Sequence, residues 1–201
     1  MRTARLAAWL TGLLALGGCA TIESPLDSRL VGQLREGQTR AEVQRVFGRP
    51  SASELGANGV VLEHYRRSSF SFGNSLHATR RNGQLELQNL DVLYSPDGVV
   101  QRHRFSEGTL IVVAERFELQ GGPRLETDLV GRIRCGQSTR SELVGAFGEP
   151  LVEGLTLKGS ARLDWFFVTG PQPNNLQGWQ LSVILDDSDR VADFKLIQSK
   201  L

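Results

Sequence analysis

The chain has 201 residues, of which 23 are lysine or arginine and 22 are aspartate or glutamate, so its formal net charge is +1. This balance argues against a nucleic-acid partner, because proteins that bind phosphate backbones carry a clear basic excess. The hydrophobic fraction of 40% fits a globular protein, and the length allows one large domain or two small ones.

Residues 1–18 have the pattern of a lipoprotein signal peptide. Two arginines precede the apolar run at 6–17, which is too short to span a bilayer as a permanent helix. The run ends in LGGC at 16–19, which resembles the lipobox of bacterial lipoproteins. This resemblance implies that Cys19 is acylated and that residues 19–26 form a lipidated tether. It also implies an anchor in the outer membrane, with the protein facing the periplasm.

A stretch of about twenty residues then occurs twice, at 31–50 and at 130–150. In both copies a threonine is followed three positions later by a glutamate, which is the spacing of a capping box. Apolar residues recur at helical spacing after it, a glycine follows where the helix should end, and a proline prevents continuation. A first helix is predicted before each copy. These features predict a duplicated pair of helices.

The residues after each helix pair alternate between polar and apolar side chains, as strands do. In the first copy strands are predicted at 60–67, 83–95 and 99–105, with a strand running into a polar loop at 68–79 and a bulge or turn near Asn89. In the second copy a strand is predicted at 162–169 and a hairpin at 181–198. The predicted fold class is therefore α+β. It consists of two tandem α-α-β-β-β units, at 27–107 and 125–201, each a helix pair packed on a small antiparallel sheet.

The segment 108–124 lies between these two predicted units. Its run of β-branched residues favours a strand that extends the first sheet and is followed by a linker. A helix over the same residues is the less favoured alternative.

The residue types needed for catalysis or metal binding are not arranged in any recognisable motif. The histidines at 64, 77 and 103 have no acidic or cysteine companion at metal-ligand spacing. Cys135 has no His–Asp pairing near it in the sequence, which favours an inert thiol over a nucleophile. The sequence therefore predicts no enzyme, no catalytic residue, no metal site and no cofactor.

Two groups of side chains are candidates for an interaction surface. Arg102 and Arg104 are predicted to alternate along a strand where the second copy has apolar residues, and the pair Arg66 and Arg67 extends this basic strip. The strip suits an acidic protein surface or lipid headgroups. The alternative is a one-residue shift of the strand, which would bury Val99 and Phe105 and leave the arginines in solvent.

The tryptophans form the second group. Trp165 and Trp179 are candidate binding anchors, because tryptophan is enriched at interaction hot spots. Core packing is the alternative role for both residues.

The pattern from Leu34 through Gly37, Thr39, Val43 and the Phe-Gly-x-Pro of residues 47–50 resembles the BamE-like (SmpA/OmlA) outer-membrane lipoprotein family. Two such units in tandem are also similar to the fold of the β-lactamase-inhibitory protein, whose concave sheet grips an enzyme. The resemblance implies a non-catalytic envelope protein that binds other proteins and supports outer-membrane assembly or integrity. The alternative is a tethered inhibitor or binder of a periplasmic enzyme.

Overall fold

The computed structural model describes residues 25–72, 80–115, 118–171 and 177–200. Cys19, the predicted signal peptide and His77 lie outside these residues. The helices, numbered in chain order, are α1 (Ser28–Val31), α2 (Arg40–Phe47), α3 (Thr127–Val130) and α4 (Arg140–Phe147). The strands are β1 (Ala52–Leu55), β2 (Val61–Phe72), β3 (Arg80–Tyr94), β4 (Val100–Glu115), β5 (Glu118–Gly121), β6 (Val152–Leu155), β7 (Ala161–Pro171), β8 (Gln177–Leu185) and β9 (Val191–Lys200).

All nine strands belong to one curled, half-barrel sheet. The strand order is β1-β2-β3-β4-β5-β7-β8-β9, every pairing is antiparallel, and β6 pairs with β7 beside this path. Strands account for 52% of the structure and helices for 15%. The predicted α+β class with two small sheets is therefore wrong, because the described residues are mostly antiparallel β with four short helices.

The sheet is continuous because the segment 108–124, predicted to be a strand followed by a linker, contributes strands that pair with both halves. β4 runs on to Glu115, and β5 pairs with its last four residues, Val112–Glu115. The other edge of β5 pairs with β7 from Val168 to Pro171. Backbone hydrogen bonds along both edges of this four-residue strand join what the sequence suggested were separate sheets.

The predicted helix caps are confirmed in both copies. Thr39 accepts from the Glu42 N–H while the Glu42 side chain accepts from the Thr39 N–H, and Thr139 and Glu142 repeat this arrangement. The helices themselves are short. α2 and α4 have eight residues each, whereas α1 and α3 are single turns of four.

One face of the sheet carries two separate apolar cores, each covered by its own helices. In the first half of the chain (25–115), Phe47 packs on Tyr65 with ring centroids 6.0 Å apart. In the second half (118–200), Phe147 packs on Trp165 at 5.9 Å with nearly the same interplanar angle. The two halves thus use corresponding positions for their helix-to-sheet contacts.

The opposite face of the first half is covered by β6 of the second half. The Ser106 hydroxyl accepts from the Glu153 N–H at 2.9 Å and donates to the Glu153 carbonyl at 3.0 Å. Gly108 lies against the carbonyl of Leu151 with no room for a Cβ atom. We call this contact between β6 and the β3–β4 face the junction of the two halves.

The predicted bulge or turn near Asn89 is wrong. β3 pairs without interruption through Asn89 with Ser106 and Leu90 with Phe105, and the register shifts only between Leu93 and Tyr94. The apolar pattern slips near Asn89 because both faces of β3 are buried there. Leu90 and Val92 lie in the helix-covered core, while Asn89 faces β6 and donates to the Glu153 carbonyl at 3.0 Å.

Candidate functional site

The two arginines of β4 are bonded to the second half of the chain. Arg102 Nη1 donates to the Gly159 carbonyl at 2.6 Å, and Arg104 Nε lies 3.4 Å from Glu153 Oε2. The register of β9 on β8 places Asp193 and Lys195 at the corresponding positions of the second half. The predicted basic strip in place of an apolar one therefore does not exist, since the arginines replace an aspartate and a lysine and fasten the junction.

The other two arginines of the predicted strip lie on β2. Arg66 Nε donates to Asn89 Oδ1 at 3.0 Å on the junction face. Burial lowers the pKa of its guanidinium to about 10. Arg67 points to the other face and donates from Nη1 to the Arg66 carbonyl at 2.9 Å. Although Arg66 and Arg67 are adjacent in sequence, their side chains lie on opposite faces of the sheet.

The two candidate tryptophans both belong to the core of the second half. Trp165 is fully buried and donates from Nε1 to the Gly148 carbonyl at 2.8 Å. Trp179 is half-buried and packs on Phe167 with ring centroids 5.5 Å apart. Of the alternatives raised by the sequence, core packing describes both residues.

The structure assembles a buried polar network at the junction that the sequence did not reveal. His64 on β2 has one side-chain nitrogen, Nδ1, 2.7 Å from Asp91 Oδ1 on β3, and the other, Nε2, 3.1 Å from Glu54 Oε1 on β1. Asp91 Oδ2 also accepts from the Leu155 N–H at 2.8 Å and lies 3.7 Å from Arg162 Nη2. Strands of both halves therefore contribute to one network.

The protonation states of this network follow from its contacts. Burial by itself would lower the pKa of His64, but the hydrogen bonds to Asp91 and Glu54 outweigh it and raise the pKa above the ordinary value. Burial would raise the pKa of Asp91, but the hydrogen bond and the charge of His64 lower it. The His64 hydrogen bond likewise lowers the pKa of Glu54. These shifts favour the imidazolium form of His64 between two carboxylates.

A Glu–His–Asp arrangement invites comparison with catalytic triads, in which a histidine takes a proton from a nucleophile. Here both ring nitrogens already have carboxylate partners, and only 1% of the His64 side chain is exposed. No ring nitrogen remains to accept a proton from a substrate. The network therefore acts as a buried ion cluster that holds β1, β2 and β3 against β6 and β7.

A second polar cluster lies under α2. Glu63 is fully buried, and its Oε1 accepts from Arg40 Nε at 2.7 Å and from Gln44 Nε2 at 2.8 Å. Its Oε2 accepts from the Tyr65 hydroxyl at 2.7 Å. Burial and the neighbouring carboxylate raise the pKa of Tyr65, so this tyrosine is a neutral donor and the cluster is structural.

The sheet has an opening on one side of β5. A groove of about 740 Å³ lies between residues 107–111 of β4 and the second half of the chain. The turn at 149–151 and Phe166 of β7 line its other side. The groove is lined by the carboxylates Glu107 and Glu149, and none of its lining residues is lysine, arginine or histidine.

Comparison with known proteins returns no matching family model, no similar curated protein and no similar solved structure.

Within residues 25–72, 80–115, 118–171 and 177–200, none of the helices has the length and apolar composition needed to cross a membrane. No group of three or more histidine, cysteine, aspartate or glutamate side chains there is arranged to hold a metal ion. Cys135 is a free, exposed thiol at the turn before α4.

Proposed function

We propose that this protein is a lipid-anchored component of the bacterial envelope that acts by binding another protein, without catalysis, from the periplasmic face of the outer membrane. The observation that carries the proposal is the LGGC motif at 16–19 placed a few residues before a folded body. Two or three acyl chains on Cys19 would give stable anchoring, since each buried methylene contributes about 0.8 kcal/mol.

The folded body begins only a few residues after Cys19, which limits its distance from the membrane. The backbone of Leu26 is bonded in both directions to the Gln88 side chain, with Leu26 N–H donating at 2.7 Å and Gln88 Nε2 donating to the Leu26 carbonyl at 3.3 Å. Only five residues, 20–24, lie between Cys19 and Pro25, and the six Cα-to-Cα steps from Cys19 to Pro25 span at most about 20 Å. A partner must therefore meet the protein close to the membrane surface.

The buried network supports a non-catalytic role. Both ring nitrogens of His64 lie within hydrogen-bond distance of carboxylates and are not available to a substrate. Its partners bridge the two halves of the chain, which is the arrangement expected of a structural element.

The experiment is metabolic labelling with a fatty-acid analogue, followed by membrane fractionation of the wild type and of Cys19→Ala. The wild type should be labelled and recovered with outer membranes, and Cys19→Ala should lose both properties. Cys135→Ala is the matched control, because it removes the other cysteine and should change neither. Retention of Cys19→Ala in the outer-membrane fraction would show that the anchor lies elsewhere.

Cross-linking of the anchored protein in cells separates the two kinds of partner. Recovery of an outer-membrane assembly complex supports the proposed role. Stoichiometric recovery of one periplasmic enzyme with lowered activity supports a tethered inhibitor instead.

A further inference from the structure

We propose that the groove beside β4 binds an extended, positively charged segment of another protein, which adds as a strand to the outer edge of β4. This inference rests on the proposed protein-binding function and specifies the chemistry of the partner. It does not depend on the lipid anchor.

The outer edge of β4 is paired over only part of its length. β4 has sixteen residues, and β5 pairs with just Val112–Glu115 at its end. At the start of β4, Val100 donates to the Gln38 carbonyl and accepts from the Gly37 N–H. No strand in the described part of the chain pairs with the outer edge between these two points.

The groove lies along this unpaired stretch. In an antiparallel sheet, alternate residues direct their N–H and C=O groups to the same edge. Val100 directs both of its backbone groups to the outer edge, and after the one-residue register shift at Leu93/Tyr94 the outward positions include Glu107 and Thr109. Residues 107–111 all line the groove, as a strand edge would. An unpaired edge of this kind is a template for strand addition.

The space beside this edge continues the line of β5. β5 ends at Gly121, and Gly122 then passes against the Phe166 carbonyl so closely that a Cβ atom would not fit. Beyond this point β7 pairs instead with β6, which is displaced onto the junction face. The gap between β4 and the second half therefore has the place and direction of a missing strand. Its volume of about 740 Å³ lies within the range of ligand sites.

The lining of the groove determines the charge of the segment. Glu107 and Glu149 are both exposed, and no cationic side chain lines the groove. Glu107 Oε1 accepts from Gln88 Nε2 at 2.7 Å, and this neutral donor does not itself neutralise the carboxylate. Ile111, 52% exposed, adds an apolar contact. An extended segment that alternates basic and apolar side chains fits these features.

The chain's own tether is a poor occupant. Its residues 20–24 read ATIES, which contains no basic residue and one glutamate. A strand with that charge would face the carboxylates of the groove, and like charges disfavour pairing.

The test uses the full-length protein extracted in detergent and synthetic eight-residue peptides, in which valine alternates with lysine or with glutamate. In calorimetry the lysine peptide should bind at least about tenfold more tightly than the glutamate peptide, and added salt should weaken its binding. Methylation of alternate backbone nitrogens in the lysine peptide should abolish binding, because it removes the donors of one strand edge.

Matched variants locate the site. Thr109→Pro removes an outward N–H without touching the bonds to β3, and it should abolish binding. Replacing both Glu107 and Glu149 by glutamine should weaken binding about three- to tenfold, whereas Glu126→Gln, an exposed glutamate outside the groove, should leave it unchanged. If Thr109→Pro fails to fold, the methylated peptide and the charge variants decide.

Several results would overturn the proposal. They are equal binding of the two peptides, binding that survives both backbone methylation and Thr109→Pro, and no binding at about 1 mM. Binding that occurs only after residues 20–24 are exchanged for glycine and serine would identify the tether as the occupant. Self-association that the peptide reverses would identify a second copy. Cys19→Ala should bind the lysine peptide normally, so failure of the anchor and failure of the groove are separate results.

Discussion

His64 and Asp91 form the closest contact of the buried network, with 2.7 Å between Nδ1 and Oδ1. The pair joins β2 to β3, and the second oxygen of Asp91 accepts from the Leu155 backbone in the other half of the chain. This ion pair therefore connects the paired strands β2 and β3 to the junction between the two halves. Its stability should depend on pH in a specific way.

The pH dependence of stability should reveal the charge on His64. Because its pKa is raised in the folded protein, the stabilisation is complete below about pH 6.5, the ordinary histidine value, and is lost as the pH rises through the folded pKa. The urea concentration at the unfolding midpoint should therefore decrease as the pH is raised from 6 to 9, and His64→Gln should make this decrease smaller.

His103 provides a control of opposite sign. Burial and the nearby charge of Arg35 lower its pKa, so its contribution is lost as the pH falls below about 6.5. His103→Gln should reduce the loss of stability on the acidic side instead. Identical pH profiles for the two variants would contradict the assigned environments.

Asp91→Ala should be among the most destabilising single changes in the chain. It removes the carboxylate that bonds His64, Asn89 and the Leu155 N–H, and it leaves a buried imidazolium with only Glu54. Breaking one partner of a buried ion pair costs about 3–5 kcal/mol. Denaturant unfolding measures the loss, and Asp187→Ala, at an exposed turn, should change stability by less than about 0.5 kcal/mol.

The two capping boxes should contribute similar free energies. Thr39→Ala and Thr139→Ala each remove the side-chain acceptor of one helix N-terminus, which costs about 1 kcal/mol of unfolding free energy. Ser53→Ala, at an exposed position of β1, is the control and should have little effect. A loss confined to one threonine would show that only one cap contributes to stability.

Truncation of the aromatic contacts under the longer helices tests the two cores. Phe147→Ala should cost about 3–5 kcal/mol, since the ring is 3% exposed and packs on Trp165. Phe47→Ala should behave similarly in the other half, because it packs on Tyr65. Val46→Ala, at a position 50% exposed, is the control for α2. An unchanged melting temperature for Phe147→Ala would contradict the burial of that ring.

The features that the sequence predicted correctly are local ones. A capping box depends on residues three positions apart, so Thr39 and Glu42 specify it by themselves. The joining of the sheets depends instead on pairings such as Leu119 with Gly170, which are 51 residues apart and carry no local signal. This explains why the helix starts were predicted and the fold class was not.

The misassigned arginines illustrate a second limit. Along a strand, side chains alternate between faces, so a shift of one residue moves every side chain to the other face. The register shifts beside Tyr94 and Leu185 fall at the same place in both halves, so counting from the turn pairs Arg102 with Asp193 and Arg104 with Lys195. The predicted basic strip requires an alignment offset by one residue, which places both arginines opposite apolar residues of β9 instead.

Neither the buried network nor the groove could be predicted from the sequence, because both depend on how the strands are arranged. Glu54, His64 and Asp91 become neighbours only through the pairing of three strands. In the sequence they are isolated polar residues of the kind usually found on exposed faces. The groove arises where β5 ends and no strand takes its place, and a pattern of side chains does not specify such a gap.

The crossings at Gly108 and Gly122 have a consequence for ancestry. Gly108 packs against the Leu151 carbonyl and Gly122 against the Phe166 carbonyl. At either position even an alanine methyl group would push the two backbones apart. Salt bridges across the junction can be exchanged for other pairs during evolution, but these two contacts accept only the smallest residue. Distant descendants of the same ancestor should therefore keep both glycines after the charged residues have diverged.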